Sequence, residues 1–142
     1  MTLVEVLAVV VILGIIAATL TISFRGQVGK AKRELAKTGI GVVVAAIETY
    51  AIETGRLPTM EEGLEVLTRP TQGRSEPYLK ADKLTDPWGN PYIYVTPSSA
   101  QAGGAYAVIS YGADGQPGAA DGDEEARDIT SDDLAERGTG GR

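Results

Sequence analysis

The sequence, 142 residues long, contains neither cysteine nor histidine. No disulfide can brace a small domain, and the side chains that most often bind zinc, or act as base beside a serine or cysteine nucleophile, are missing. Aromatic residues make up only 6% against 18 glycines, so any soluble part is small and rich in loops. Cations run short towards the end, where residues 114–142 carry nine acids and three arginines, which argues against nucleic-acid binding. The composition therefore argues against a zinc site and against a Ser/His or Cys/His dyad, and leaves a metal as the substitute for a covalent brace.

What the chain does have is a long apolar start. Residues 1–24 contain one ionisable side chain, Glu5, before Arg25 ends the run. The stretch 6–24 matches the roughly 20 helical residues that cross a bilayer's hydrocarbon core. An acid at its head is costly, about 2.5–3.5 kcal/mol at the bilayer centre, and implies a partner. The candidates are the chain's own amino terminus, the helix dipole or a cation on another chain. Beyond Arg25, residues Val28, Ala31, Leu35, Val42, Ala46 and Tyr50, with Ile47 beside them, recur at helical spacing and predict one core-facing stripe. One helix is expected from about Thr2 to Thr54, closed by Gly55 with Pro58 just beyond. Its internal glycines, each costing about 1 kcal/mol against alanine, point to close packing by small residues or to melting between Gly14 and Ile22.

The remainder reads as a small α+β part. Thr59-Met60-Glu61-Glu62 has the spacing of a capping box, followed by Met60, Leu64 and Leu67 on one face of a short helix. Asp86-Pro87-Trp88-Gly89 carries the residues of a type I turn, with Trp88 folded back onto the long helix. The runs 92–95 and 106–109 are rich in β-formers and predict a small antiparallel sheet supported by that helix. Between Tyr111 and Asp123, three carboxylates (Asp114, Asp121 and Asp123) fall within ten residues among glycines. Hard oxygen ligands on a turning loop suit Ca²⁺. The loop does not fit an EF-hand, because Ala126 stands where a frame begun at Asp121 needs glycine, and a solvated acidic loop is the other reading.

The start, M-T-L-V-E-V-L-A-V-V-V-I-L-G-I-I-A-A, resembles the mature N-terminus of the type IV pilin and pseudopilin superfamily, with Met1 where Phe is usual and Ile22 where Pro is frequent. Further on, Leu57-Pro58-Thr59, Glu62-Gly63-Leu64, Tyr78-Leu79, Asp86-Pro87-Trp88-Gly89-Asn90-Pro91-Tyr92 and Ser110-Tyr111-Gly112-Ala113-Asp114-Gly115 are similar, in this order, to the major pseudopilins of type II secretion. The resemblance implies a pilin-like fold with a calcium-binding C-terminal loop. Its parts are a transmembrane assembly helix over 1–24, an amphipathic continuation over 25–54, a globular periplasmic part over 55–129 with the metal loop at 111–128, and an acidic tail over 130–142. It also implies a function, that of a homo-oligomeric pseudopilus filament subunit supporting secretion of folded proteins. A major pilin of a surface pilus is the alternative, disfavoured by the missing cysteines, and a monomeric membrane-anchored binding domain is a third.

By the same resemblance, calcium is held by Asp114, Asp121 and Asp123 side chains and by the backbone carbonyls of Tyr111 and Gln116, while Asp128 ties the loop down. A prepilin peptidase and methylase would process the precursor to leave an N-methylated Met1, and Glu5 would pair with the amino terminus of a neighbouring subunit. Minor pseudopilins and an inner-membrane assembly platform are the implied partners. The implied location is a single-pass inner-membrane protein of a Gram-negative bacterium, then a periplasmic filament. Cations at 25–37 alone would by the positive-inside rule place the C-terminal part in the cytoplasm, so the orientation follows the resemblance. The basic residues from Lys30 to Lys37 are expected to meet Glu48 or Glu53 of neighbouring subunits.

Overall fold

A computed structural model describes residues 1–96, 106–118 and 124–134, with the side chains of 21–25 left out of the description. The chain forms two units, Met1–Ala31 and Lys32–Arg142. A single helix, α1 (Leu3–Thr54), supplies the backbone of the first unit and the longest element of the second. It stops where Gly55 takes φ +75°, a conformation that costs side-chain-bearing residues strain, as the sequence predicts.

In the first unit, Leu3–Leu20 has a mean hydropathy of 2.8 and buries nothing within the chain. Its leucines, valines and isoleucines are all exposed, so this stretch has no intramolecular reason to be apolar. It is long and apolar enough to anchor the chain in a membrane.

In the second unit the buried face of α1 is Ala36, Ile40, Val43, Ala46, Ile47 and Tyr50. This corrects the predicted stripe: Ala46, Ile47 and Tyr50 belong to it, but Leu35 and Val42 are 60% and 45% exposed. The helix carries two apolar rows side by side, and counting three- and four-residue steps slides from one to the other. Against the buried row pack Leu64, Leu67, Leu79, Tyr92, Tyr94, Val108 and Ile129.

The segment after α1 is short-turned. Thr59 and Glu62 form the predicted capping box: Thr59 N–H donates to Glu62 Oε2 at 3.1 Å and Glu62 N–H to Thr59 Oγ1 at 3.2 Å. Arg56 grips the same carboxylate at 2.7 and 2.9 Å. Hydrogen bonds from Arg56, then from the Thr59 backbone, hold the Glu62 carboxyl down at about 2. The element that follows, Gly63–Thr68, is a 3₁₀ helix that buries Leu64 and Leu67, whereas Met60 lies outside its hydrophobic face and is exposed. A second 3₁₀ turn spans Ala81–Leu84. Between them, Arg74 pairs with Glu53 at 2.9 Å and Tyr78 donates to the same carboxylate at 2.7 Å, fastening the 71–78 loop to the end of α1. The Tyr78 hydrogen bond, with help from Arg74, lowers the Glu53 carboxyl from its ordinary value.

The sheet has three antiparallel strands in the order β1 (Ile93–Val95), β2 (Ala107–Ser110), β3 (Ile129–Thr130). Tyr94 faces Val108, and Ser110 faces Ile129. The predicted strand runs form β1 and β2; β3 straddles the expected boundary between the globular part and the tail, and is a finding of the structure. Ser131 extends the pairing by donating to the Val108 carbonyl at 2.9 Å, and residues 132–134 are helical. Of the residues expected as a tail, Thr130 closes β3 and 132–134 form a short turn, while 135–142 lie outside the described residues.

Gly39 shows why a helix interior tolerates glycine. A Cβ there would stand 2.1 Å from the hydroxyl of Tyr92, a ring buried in the core. Burial pushes the Tyr92 phenol up to about 12, with the nearby Asp86 carboxylate adding to it. Gly14, Gly26 and Gly41 meet nothing within 4 Å in the single chain. Gly39→Ala is expected to destabilise by about 1–2 kcal/mol despite the gain in helix propensity, and Tyr92→Phe to remove most of that cost. Thermal unfolding of the four-variant cycle checks this; an equal cost in both backgrounds would disprove the clash.

Candidate functional site

Two places concentrate chemistry. The first is the acid at the start of α1. Thr2 N–H donates to Glu5 Oε2 at 2.7 Å, the Thr2 hydroxyl approaches the same oxygen at 3.2 Å, and Glu5 N–H reaches back to Thr2 Oγ1 at 3.4 Å. This is a second capping box, T-x-x-E, satisfying backbone donors that the first turn of any helix leaves open. The T-x-x-E spacing is the same as at Thr59–Glu62, and it gives Glu5 a capping role beside the helix dipole. Among the described residues the hydrogen bonds that Glu5 accepts converge on Oε2. Met1 is fully exposed beside it.

The second place is the loop after β2, and it is held from four sides. Asp86 is only 5% exposed; its Oδ1 accepts from Trp88 N–H at 3.0 Å and Asn90 N–H at 2.9 Å, and its Oδ2 from the Ser110 hydroxyl at 2.7 Å. Gly89 N–H closes the turn onto the Asp86 carbonyl at 3.0 Å. Ser110 Oγ in turn accepts from Gly112 N–H at 3.3 Å, and Asn90 Nδ2 donates to the Gly112 carbonyl at 2.8 Å. The tryptophan turn thus holds the entry of the loop, while Trp88 itself lies half-buried against the core.

The exit is held by the turn at 124–127. Ala113 N–H donates to the Glu125 carbonyl at 2.9 Å, joining entry and exit. On the other side, Arg33 of α1 donates from Nη1 to the Glu124 carbonyl and, at 2.9 Å, to the Arg127 carbonyl. Arg33, read from sequence as part of a basic stripe, is therefore committed within its own chain, as Lys37 is to Glu34 at 2.7 Å. Glu53, engaged by Arg74 and Tyr78, is committed as well; Glu48 remains an exposed acid.

Inside the loop Gly112, Gly115 and Gly118 all have positive φ, at +68°, +65° and +102°. Asp114 Oδ1 accepts from Gln116 N–H at 3.2 Å, and Asp128 Oδ2 accepts from Gly118 N–H at 3.0 Å. Among the described residues Asp128 Oδ1 is buried without a hydrogen-bond partner, a costly state for a carboxylate oxygen. Asp114, Tyr111 and Gln116 lie on one short stretch of this loop, whereas Asp121 and Asp123 fall outside the described residues. Among the described residues no three acidic side chains gather closely enough to hold a metal. In kind, however, the donors suit a hard cation: oxygen only, from carboxylates and carbonyls, with one buried oxygen still in need of a positive partner.

Comparison with known proteins places these features. A family model described as type II secretion system (T2SS), protein G matches residues 23–132. Type II secretion system core protein G of Pseudomonas aeruginosa is 38% identical over 132 residues, 87% of this chain and 89% of its own. The protein of the same name from Vibrio cholerae is 38% identical over 122 residues, 82% of each chain. That from Escherichia coli K12 is 33% identical over 143 residues, 96% of this chain and 92% of its own. Among solved structures, the major pseudopilin of the type 2 secretion system of enterohaemorrhagic Escherichia coli superposes with a TM-score of 0.58 at 26% identity, covering 77% of this chain and 89% of that one.

The loop geometry gives a test of its closure. At Gly112 an added Cβ would stand 2.6 Å from the Glu125 carbonyl oxygen, while at Gly55, with nearly the same φ, it would meet nothing within 4 Å. Gly112→Ala should cost the roughly 1–3 kcal/mol of left-handed strain and the clash besides, so it should lower the melting temperature more than Gly55→Ala. Equal losses would show that the loop ends do not pack as described.

Proposed function

The chain belongs to the type II secretion system protein G family and is a pseudopilin, a structural subunit of the secretion pseudopilus; we propose that the exposed apolar row of α1 and the Glu5 carboxylate hold its copies together. The observation that carries this is the second row. In the second unit Leu35, Val42 and Ile52 are 60%, 45% and 83% exposed, with Thr38 and Ala45 between them on three- and four-residue steps. A groove of about 400 Å³ runs beside Leu35, Thr38, Gly39 and Val42, bounded by Pro87. A small domain with few aromatics has no reason to leave such a row in water unless another surface covers it. Alternating large and small residues at these steps suit another helix.

Glu5 supplies register. Its carboxylate already caps its own helix through Thr2, and within hydrocarbon a cation meeting it is favoured over any uncharged neighbour. The exposed terminal amine of Met1 on another copy is that cation in our reading, and it is N-methylated if the terminus is processed as in the resemblance. Before assembly the apolar unit sits in the inner membrane; afterwards the globular units face the periplasm. Minor pseudopilins and an inner-membrane platform are the further partners, and the subunit carries out no reaction. Electron microscopy of pseudopili should show filaments from the parent and few or none from Leu35→Glu, Val42→Glu or Glu5→Gln. Melting temperatures within about 2 °C of the parent would show that the first two variants still fold. Normal filaments from all three would refute the proposal.

A second reading concerns the loop. We infer that it binds Ca²⁺ through Asp114, Asp121 and Asp123 side chains and the carbonyls of Tyr111 and Gln116. Support comes from the three positive-φ glycines and the unpartnered Asp128 Oδ1. The ion would neutralise a self-repelling acidic loop and brace a domain that has no cysteine. A chelator should lower the melting temperature of the full chain in detergent, and Asp114→Ala should abolish the chelator's effect. Superimposable melting curves with and without chelator would exclude this role.

A further inference from the structure

We propose that Lys30 and Lys32 bind the phosphates of anionic phospholipids where α1 leaves the bilayer, and so fix how deep the helix sits before assembly. The inference rests on the membrane anchoring of the apolar stretch Leu3–Leu20. It starts from the cations that the fold leaves free. Between Gly26 and Lys37, Arg33 is committed to the carbonyls of Glu124 and Arg127, and Lys37 to Glu34, the one acid of that stretch. Lys30 and Lys32 make no hydrogen bond or ion pair among the described residues, and Lys30 is exposed.

Their place along α1 decides what they can meet. The apolar run ends before Arg25, and at about 1.5 Å per helical residue Lys30 and Lys32 follow Phe24 by about 9 and 12 Å. Outside the hydrocarbon lies a headgroup layer about 5–8 Å deep on each side. Helical side chains lean towards the helix N-terminus, which here is towards the bilayer, and lysine stems carry their ammonium groups back to such a layer. Both groups thereby come level with lipid phosphates. A phosphate without a choline beside it keeps its negative charge uncompensated, so an anionic headgroup is favoured over a zwitterionic one. The contact also accounts for a charge pattern that runs against the positive-inside rule when the globular part faces the periplasm. Phosphates line both faces of a bilayer, so these lysines find the same partner on either.

The test is electron paramagnetic resonance of spin-labelled phosphatidylglycerol and phosphatidylcholine around the full chain in phosphatidylcholine bilayers. It compares the parent, Lys30→Gln, Lys32→Gln, the double variant and Lys80→Gln, the last an exposed lysine of the globular unit. A lysine at an anionic surface changes association by up to about five-fold. The parent should therefore hold phosphatidylglycerol several-fold more tightly than phosphatidylcholine. Each single variant should lose part of that preference and the double variant most of it, while Lys80→Gln keeps it. Raising salt from about 0.01 to about 1 M should erase the parent's preference by screening, a readout that needs no variant to fold. Equal selectivity in parent and double variant, or a parent preference untouched by salt, would overturn the inference. Loss of filaments in the double variant with its lipid preference intact would assign the lysines to acids of another copy, and overturn it as well. A parent that immobilises neither lipid would overturn the membrane reading itself, a failure distinct from a parent that immobilises both equally.

Discussion

The Asp86 carboxylate is the constraint on which the globular unit depends. It is nearly sealed from water, so each oxygen must find a donor, and it finds three: two backbone amides of its own turn and the hydroxyl of Ser110 on β2. A buried, unsatisfied carboxylate would cost several kcal/mol, so the turn, the strand and the loop entry adopt their places together or not at all. Through Ser110 the requirement passes to Gly112, and through Asn90 to the Gly112 carbonyl. One side chain thereby ties the tryptophan turn to β2 and the loop entry, which lie more than twenty residues further along the sequence.

Around that knot, α1 is asked to do two things with one surface. Ala36, Ile40, Val43, Ile47 and Tyr50 close the core, while Leu35, Val42 and Ile52 face outward. The close approach at Gly39, where Tyr92 occupies the space a Cβ would take, draws the globular unit tightly onto one row and leaves the other clear. A domain that spread its contacts over both rows would leave α1 no apolar row in the open.

Local signals were legible in the sequence and distant ones were not. The limits of α1, the Thr59–Glu62 box, the tryptophan turn and two strands follow from residues within a few positions of each other, where propensity and capping act directly. The choice between two apolar rows could not be read from spacing, because both satisfy the helical period and only the partner decides which is buried. β3 escaped notice because a two-residue strand has no periodicity; Ile129 and Thr130 are strand only because Ser110 and Ile109 lie opposite. For the loop, the donor types were readable and Asn90 and Ser110 stood in quoted motifs, but their hold on the loop was not legible, because Arg33, Asn90 and Ser110 come from three separate stretches of the chain. Arg33 looked like one more cation in a run of five.

The sheet has one further consequence. Both outer strands are stubs, three residues in β1 and two in β3. Stubs of that size offer too few unpaired amides and carbonyls to template another chain, and brevity at a sheet's margin is a known defence against edge-to-edge stacking. The folded unit is thereby protected at both margins of its sheet against the edge pairing from which cross-β stacking starts.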